Sequence, residues 1–315
     1  MSYSNRIFFY GPVGLLLLIV VLYSVFWRVQ ADTLAARLDR ANGGEVIPGV
    51  VFAFAEKSVS GYPFRLDAVL SGVTFSHRAP DGETAWRTEQ LAVHALSYNQ
   101  SRFIFEVTGL QSFARPPLQP GTVPRVTYVT PAIARASAIF VAGKLTRVDV
   151  DLFGVQAKEA TVGANPKDTF AADRAQLHLL ARPDNTIDVV VQIANASIGA
   201  GYTGAVELAL PTLALTGKLT QAQTFAPLTS AQSSIADALS AWHTNAGVLS
   251  VSDLAVNWGD AHADMKGDLT LDDQGWLTGT LTGEQIINGN DRGPFGLAFA
   301  NGRIRLASTA AGRRP

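Results

Sequence analysis

Gly61-Tyr62-Pro63-Phe64-Arg65-Leu66-Asp67-Ala68-Val69-Leu70 is the stretch on which the reading of the fold turns. Successive side chains of an extended strand point to opposite faces. Phe64, Leu66, Ala68 and Leu70 therefore share one face, opposite Arg65 and Asp67, which predicts a strand with one apolar side. The Gly-Tyr-Pro entry fits, because proline at the first position of a strand removes no ladder hydrogen bond.

Similar runs occupy residues 50–54, 91–98, 102–107, 125–130, 145–155, 175–181 and 187–193, then 248–251, 254–258, 263–271 and 276–281. Asp184-Asn185 and Asp272-Asp273-Gln274-Gly275 stand between consecutive runs as turn signals. Strand follows strand with few helical intervals, which predicts a mainly β, extended and curved antiparallel meander and not βαβ alternation. One helix is expected near residues 228–244, where Leu228, Ile235, Leu239 and Trp242 approximate an apolar stripe and Gly247 supplies the stop.

Ahead of these strands, from Ile7 to Trp27, the chain reads IFFYGPVGLLLLIVVLYSVFW without a charge, between Arg6 and Arg28. At 1.5 Å per residue such a helix spans about 30 Å, the hydrocarbon thickness of a bilayer. Tyr10, Tyr23 and Trp27 fall where interfacial aromatics sit. The alternative is a cleaved signal peptide, with Val29-Gln30-Ala31 before the cut, although the apolar run exceeds the 7–15 residues of a typical signal core. Residues 28–44 read as a helix continuing out of the membrane and stopping at Asn42-Gly43-Gly44. The expected organisation is a tail at 1–6, a membrane helix at 7–27, this juxtamembrane segment, a β-rich domain at 45–306 and a small basic tail at 307–315. Arg28, Arg37 and Arg40 would keep the domain in the cytoplasm by charge count, but long domains translocate largely regardless of such charges.

Composition removes several function classes. Hydrophobic residues make up 47% and charged ones 16%, with a net charge of −1, so no basic field exists to hold a nucleic-acid backbone. There are no cysteines, which excludes disulfides, thiol nucleophiles and thiolate metal sites. No G-x-S-x-G elbow, Walker loop or H-E-x-x-H pattern is present. Gly199-Ala200-Gly201-Tyr202-Thr203-Gly204 satisfies G-x-G-x-x-G, but a strand-like run and Pro211 follow where a dinucleotide site needs a helix, so it reads as a hairpin connection. Asp260-Ala261-His262-Ala263-Asp264 places three potential ligands on one strand face, about 7 Å apart, too wide for one small ion. No cofactor, metal or catalytic residue is expected. Trp242, Trp258 and Trp276 read as core around the helix. Tyr62, Phe64 and Arg65 have two readings. They are a membrane-surface contact with a cation for a phosphate headgroup, or a strand entry with Phe64 in the core and Arg65 paired outward.

Three patches carry a resemblance: Gly61–Asp67 (GYPFRLD), Ser234–Gly259 (SIADALSAWHTNAGVLSVSDLAVNWG) and Gly267–Leu281 (GDLTLDDQGWLTGTL). With the N-terminal anchor, they resemble the bacterial domain of unknown function numbered 2125. The Gly-led strand, Asp/Gly turn and second Gly-rich strand are similar, more weakly, to AsmA-like envelope proteins. The first resemblance implies a membrane-anchored protein with its domain on the periplasmic side and transfers no catalytic residue. The second implies a curved sheet whose apolar face is a groove for lipid acyl chains. From the residues alone that face is covered either by the protein's own core or by lipid. The expected partners are the inner membrane through residues 7–27, then lipid or another envelope protein. No nucleic acid is expected.

Overall fold

The alternating runs are strands, and nearly all of them hydrogen-bond to the next strand along the chain, always antiparallel. The computed structural model describes residues 4–79, 82–116, 124–161, 164–199, 208–287, 289 and 291–306. A single helix α1 (Ser4–Ala41) comes first. The strands β1 (Gly44–Ile47), β2 (Val50–Ala53), β3 (Glu56–Ser60), β4 (Arg65–Ala79), β5 (Gly82–Leu96) and β6 (Asn99–Arg115) follow. Next are β7 (Arg125–Thr130), β8 (Ile133–Val141), β9 (Lys144–Thr161), β10 (Lys167–Ala181), β11 (Ile187–Ile198) and β12 (Leu208–Leu219). After two short helices, α2 (Ala226–Thr229) and α3 (Ile235–Thr244), the sheet resumes with β13 (Leu249–Trp258), β14 (Ala261–Leu271), β15 (Leu277–Ile287), β16 (Asp291–Ala300) and β17 (Arg303–Leu306). These seventeen strands make fifteen rows, because β2 and β3 share one side of β4, and β7 and β8 share the gap between β6 and β9. At about 4.8 Å per row the sheet runs roughly 67 Å in the hydrogen-bonding direction.

A line of irregularities crosses the strands at one level. Gly72 of β4 faces Glu89 of β5, and Glu89 faces the two residues Gly109 and Leu110 of β6, a bulge. The line continues through Pro131-Ala132, between β7 and β8, to Gly154 of β9. From there it runs to Asp173 of β10, Asn195 of β11 and Pro211 of β12. Gly72, Gly109, Gly154 and Asn195 all have positive φ. The device repeats. The Ala55 amide donates to Ser71 O just before Gly72, and the Ala132 amide donates to Phe153 O just before Gly154. A Cβ on either glycine would sit 3.2 or 3.1 Å from the alanine methyl opposite, so the close approach itself requires glycine. Bulges and left-handed residues bend a strand, so their alignment creases the sheet along its length.

The crease also resets the alternation. In β4 the buried residues are Leu66, Ala68 and Leu70 before Gly72, then Val73 after it. The strands therefore run well past the expected segments at 64–70, 91–98 and 187–193, through the crease and into a second half of opposite phase. Pro211 does not end its strand; β12 runs through it at the crease.

The anchor and the juxtamembrane segment are one continuous helix of 38 residues, about 57 Å long, as their sequence reads, and it passes through Pro12 unbroken. One expectation is corrected here. The helix near 228–244 is two helices. Ala231 adopts a positive φ between them, and Ser234 starts α3 with a capping box, accepting from the Asp237 amide while the Asp237 carboxylate accepts from its own. Ile235 and Leu239 are exposed, and the side chains that bury are Ala238 and Trp242. α2 contacts β9, three strands away from β12 across the sheet, so the helical segment closes over one end of the curved strands.

The larger clusters of buried side chains lie toward the two ends of the meander, and a small one, Ala172, Ala196 and Leu210, lies beside the crease in β10–β12. One cluster joins Phe52, Phe54, Leu70, Val73 and Leu91 with Leu38 and Ala41 of α1 packed on it. The other joins Val251, Leu254, Ala263, Met265, Leu269 and Leu281.

Candidate functional site

The Gly61–Arg65 turn is where the sheet grips α1. The Trp27 indole N–H donates to the Arg65 carbonyl at 2.7 Å, and the Tyr23 hydroxyl donates to the Pro63 carbonyl at 3.0 Å. The Ser24 and Tyr62 hydroxyls are 2.7 Å apart, and Tyr62 meets Trp27 edge-on at 5.5 Å. Trp27 and Ala31 are buried with Leu66, flanked by Leu34 and Val59. Lys57 adds an ion pair to Asp39 and a hydrogen bond to the Ala35 carbonyl.

Of the residues singled out in this turn, Phe64 is not core: it is 63% exposed, beside Tyr23. Tyr62 is 51% exposed. Arg65 pairs outward with Asp67, both guanidinium contacts lying within 3.0 Å, and lies 3.1 Å from His94, so its charge is already partnered. Tyr98, which the sequence did not single out, is 64% exposed in the next turn, where Ser97 donates to the Phe64 and Pro63 carbonyls. These aromatics continue the exposed apolar surface that α1 presents from Val13 to Phe26.

Beside this grip lies a cavity of about 150 Å³ between α1 and the sheet. Leu34 and Leu38 line it from the helix, and Leu66, Ala68, Val93, Ala95 and Phe103 from β4 to β6. Gln30, Thr33, Arg37 and Gln100 supply its polar groups. Phe103 also lines a second cleft, with Phe140 and Ala142 at the β8–β9 turn.

The cavity opens onto an apolar band that register makes continuous. Ala68, Val93, Phe105, Ala136, Val150, Leu177, Val191, Leu215, Leu254 and Met265 are successive cross-strand partners from β4 to β14. A parallel ladder on the same face holds Leu66, Ala95, Phe103, Ala138, Val148, Leu179 and Val189. Another holds Leu70, Leu91, Val107, Ala134, Leu152, Ala175, Ile193 and Leu213. Nine strand spacings make the band about 43 Å long. In its middle, Val148, Val150, Leu152, Leu177, Leu179, Val189 and Val191 are only half-buried, unlike the filled ends.

The opposite face is polar. Asp149 accepts from Arg147 at 2.8 and 3.0 Å and from Ser137 at 3.2 Å, and lies 2.7 Å from His178. Partial burial pushes the Asp149 carboxyl up, but the hydrogen bonds from Arg147 and His178 outweigh it and hold the group below its ordinary range. The Asp151 carboxyl is likewise held low, first by its paired hydrogen bonds from Arg174. A serine, a histidine and an aspartate thus come together, yet both Ser137 and His178 bind the carboxylate. Nucleophilic catalysis needs the hydroxyl on the imidazole, so this cluster is an ion-pair network.

His262 bonds to Asn257 at 2.6 Å and Asp264 at 2.9 Å, and among the described residues no three His, Asp or Glu side chains are placed to hold a metal. The glycine-rich motif at 199–204 lies, beyond Gly199, outside the described residues, as does the tail at 307–315. Trp242 is core, donating to the Thr220 carbonyl at 2.7 Å. Trp258 packs on Phe295 at the opposite end of β13 from the helices, and Trp276 is exposed, so neither surrounds α3.

Fold and site together define a class: an open antiparallel sheet carried on one helix long and apolar enough to cross a membrane, with a continuous apolar band on one face. The chain belongs to the family described as "Uncharacterized protein conserved in bacteria (DUF2125)", which it matches over residues 27–284. No curated protein and no solved structure matches it. The similarity to AsmA-like proteins, expected from the Gly267–Leu281 phrase, is not among what these comparisons find.

Proposed function

We propose that this is a single-pass inner-membrane protein whose sheet shelters lipid chains along its apolar band, binding lipid without transforming it. The observation that carries the reading is the band itself. It begins at the α1 cavity, extends about 43 Å against the roughly 15 Å of one bilayer leaflet, and is left half-open in its middle. A sheet must cover an apolar face, and along this band the protein's own side chains bury the ends more fully than the middle. Trp27 and Ala31 lie within the core cluster, so cleavage after Ala31 would tear out part of the fold; this supports a retained anchor. The exposed Tyr62, Phe64 and Tyr98 fit the interfacial layer beside Tyr23. The family resemblance favours the periplasmic side for the domain, and a C-terminal reporter active only after export tests it.

Native mass spectrometry of the full chain released from lipid nanodiscs tests the lipid reading. Wild type should retain lipid, and Leu177→Glu, which puts a charge mid-band, should lose most of it. A wild-type protein free of lipid would overturn the reading.

A second reading is a scaffold. Among the described residues β17 pairs only with β16, and its Ile304 and Leu306 are exposed, the kind of strand another envelope protein can pair with. Photocrosslinking from position 304 in cells should then give one dominant protein adduct, and scattered products would count against it.

A further inference from the structure

The cavity between α1 and the sheet has a charge as well as an apolar lining. Gln30, Thr33, Leu34, Arg37 and Leu38 follow helical spacing along one side of α1, so leucines and polar groups line the same opening. Arg37 is exposed there and makes no ion pair or hydrogen bond among the described residues. Its neighbours differ: Arg28 is paired with Asp32, and Arg40 donates to the Ala36 carbonyl. Arg65, on the sheet, is paired with Asp67. Measured from Trp27, Gln30 stands about 4.5 Å and Arg37 about 15 Å along the helix, so the opening begins within the headgroup layer and rises above it.

We propose that this cavity is the point at which a lipid with a phosphate headgroup enters the band. The Arg37 guanidinium receives the phosphate, and the chain lies against Leu34, Leu38, Leu66 and Phe103. The proposal rests on the lipid-sheltering reading and adds the ligand class and the residue that selects it. A planar guanidinium grips a phosphate through two hydrogen bonds, and an unpaired one beside an apolar slot matches a molecule that is anionic at one end and hydrocarbon at the other.

The test uses the full chain in nanodiscs of phosphatidylcholine containing either phosphatidylglycerol or diacylglycerol, which has the same chains without a phosphate. Retained lipid is read by native mass spectrometry. Arg37→Gln should lower phosphatidylglycerol retention about tenfold, the loss of one charge-assisted contact, and leave diacylglycerol unchanged. Arg37→Lys should fall between the two, because an ammonium keeps the charge and loses the fork. Equal retention by wild type and Arg37→Gln would overturn the proposal and leave the sheltering reading intact. A loss of both lipids together would show Arg37 to be structural and also overturn it. Absence of either lipid from wild type would instead bring down the sheltering reading.

Discussion

Asp149 and Gly247 show how much single positions carry, one on the polar face of the sheet and one in the turn between α3 and β13. Asp149 gathers Arg147, His178 and Ser137, and its carboxyl sits below the ordinary aspartate value of 3.8. A carboxyl whose folded value is depressed stabilises the fold fully above its unfolded value and loses that contribution as pH falls through the folded one. Wild type should therefore lose stability below about pH 4, and Asp149→Asn should start less stable at pH 7 and show a flatter acid limb, read from denaturant midpoints. An unchanged acid limb would mean that the network is merely decorative. Gly247 meets a different demand. A Cβ there would lie 2.3 Å from the Trp242 ring, which is held by its bond to Thr220. Gly247→Ala should cost about 1–3 kcal/mol by overpacking, visible as a lowered denaturation midpoint with an unchanged slope.

At the scale of elements, the crease and the helix dock are what local patterning leaves out. Gly154 is needed twice over, for its positive φ and for the approach of Ala132. Gly154→Val should lower stability by about 1–3 kcal/mol, and Ala132→Gly added to it should recover only the crowding part. Full recovery would place the whole cost in the contact and none in the backbone. The α1 dock depends on Trp27, whose ring and indole N–H are both engaged. Trp27→Ala should release the helix from the sheet and open residues 28–43 to limited proteolysis while the rest of the sheet stays resistant. The expected strands at 64–70, 91–98 and 187–193 were legible because each is one half of a real strand with steady alternation. Their other halves were not, because a single left-handed residue or bulge reverses the phase, and period-two reading stops there.

The whole molecule is a chain of nearest-neighbour pairings with its larger cores toward both ends, a small buried cluster beside the crease in β10–β12, and an apolar band left half-open in the middle. Protection of backbone amides against hydrogen exchange should accordingly be greatest in β4–β5 and β13–β15 and least in β9–β11, in lipid-free protein. Uniform protection would mean that the middle is covered by packing that the burial of its side chains does not show. Adding lipid should raise protection in β9–β11 first. Much of this architecture could be read from the sequence by itself. The length and neutrality of residues 7–27 set a span, and the alternation with turn residues between runs set an antiparallel meander, because both are local properties of consecutive residues. The tertiary structure alone decided the rest. The seating of Trp27 on the Arg65 carbonyl, the alignment of Gly72, Gly154 and Asn195 into one crease, and the joining of Ala68 through Met265 into one apolar ladder all depend on contacts between segments far apart in the chain. Register is fixed by pairings among residues far apart in the chain, and no window of consecutive residues contains it.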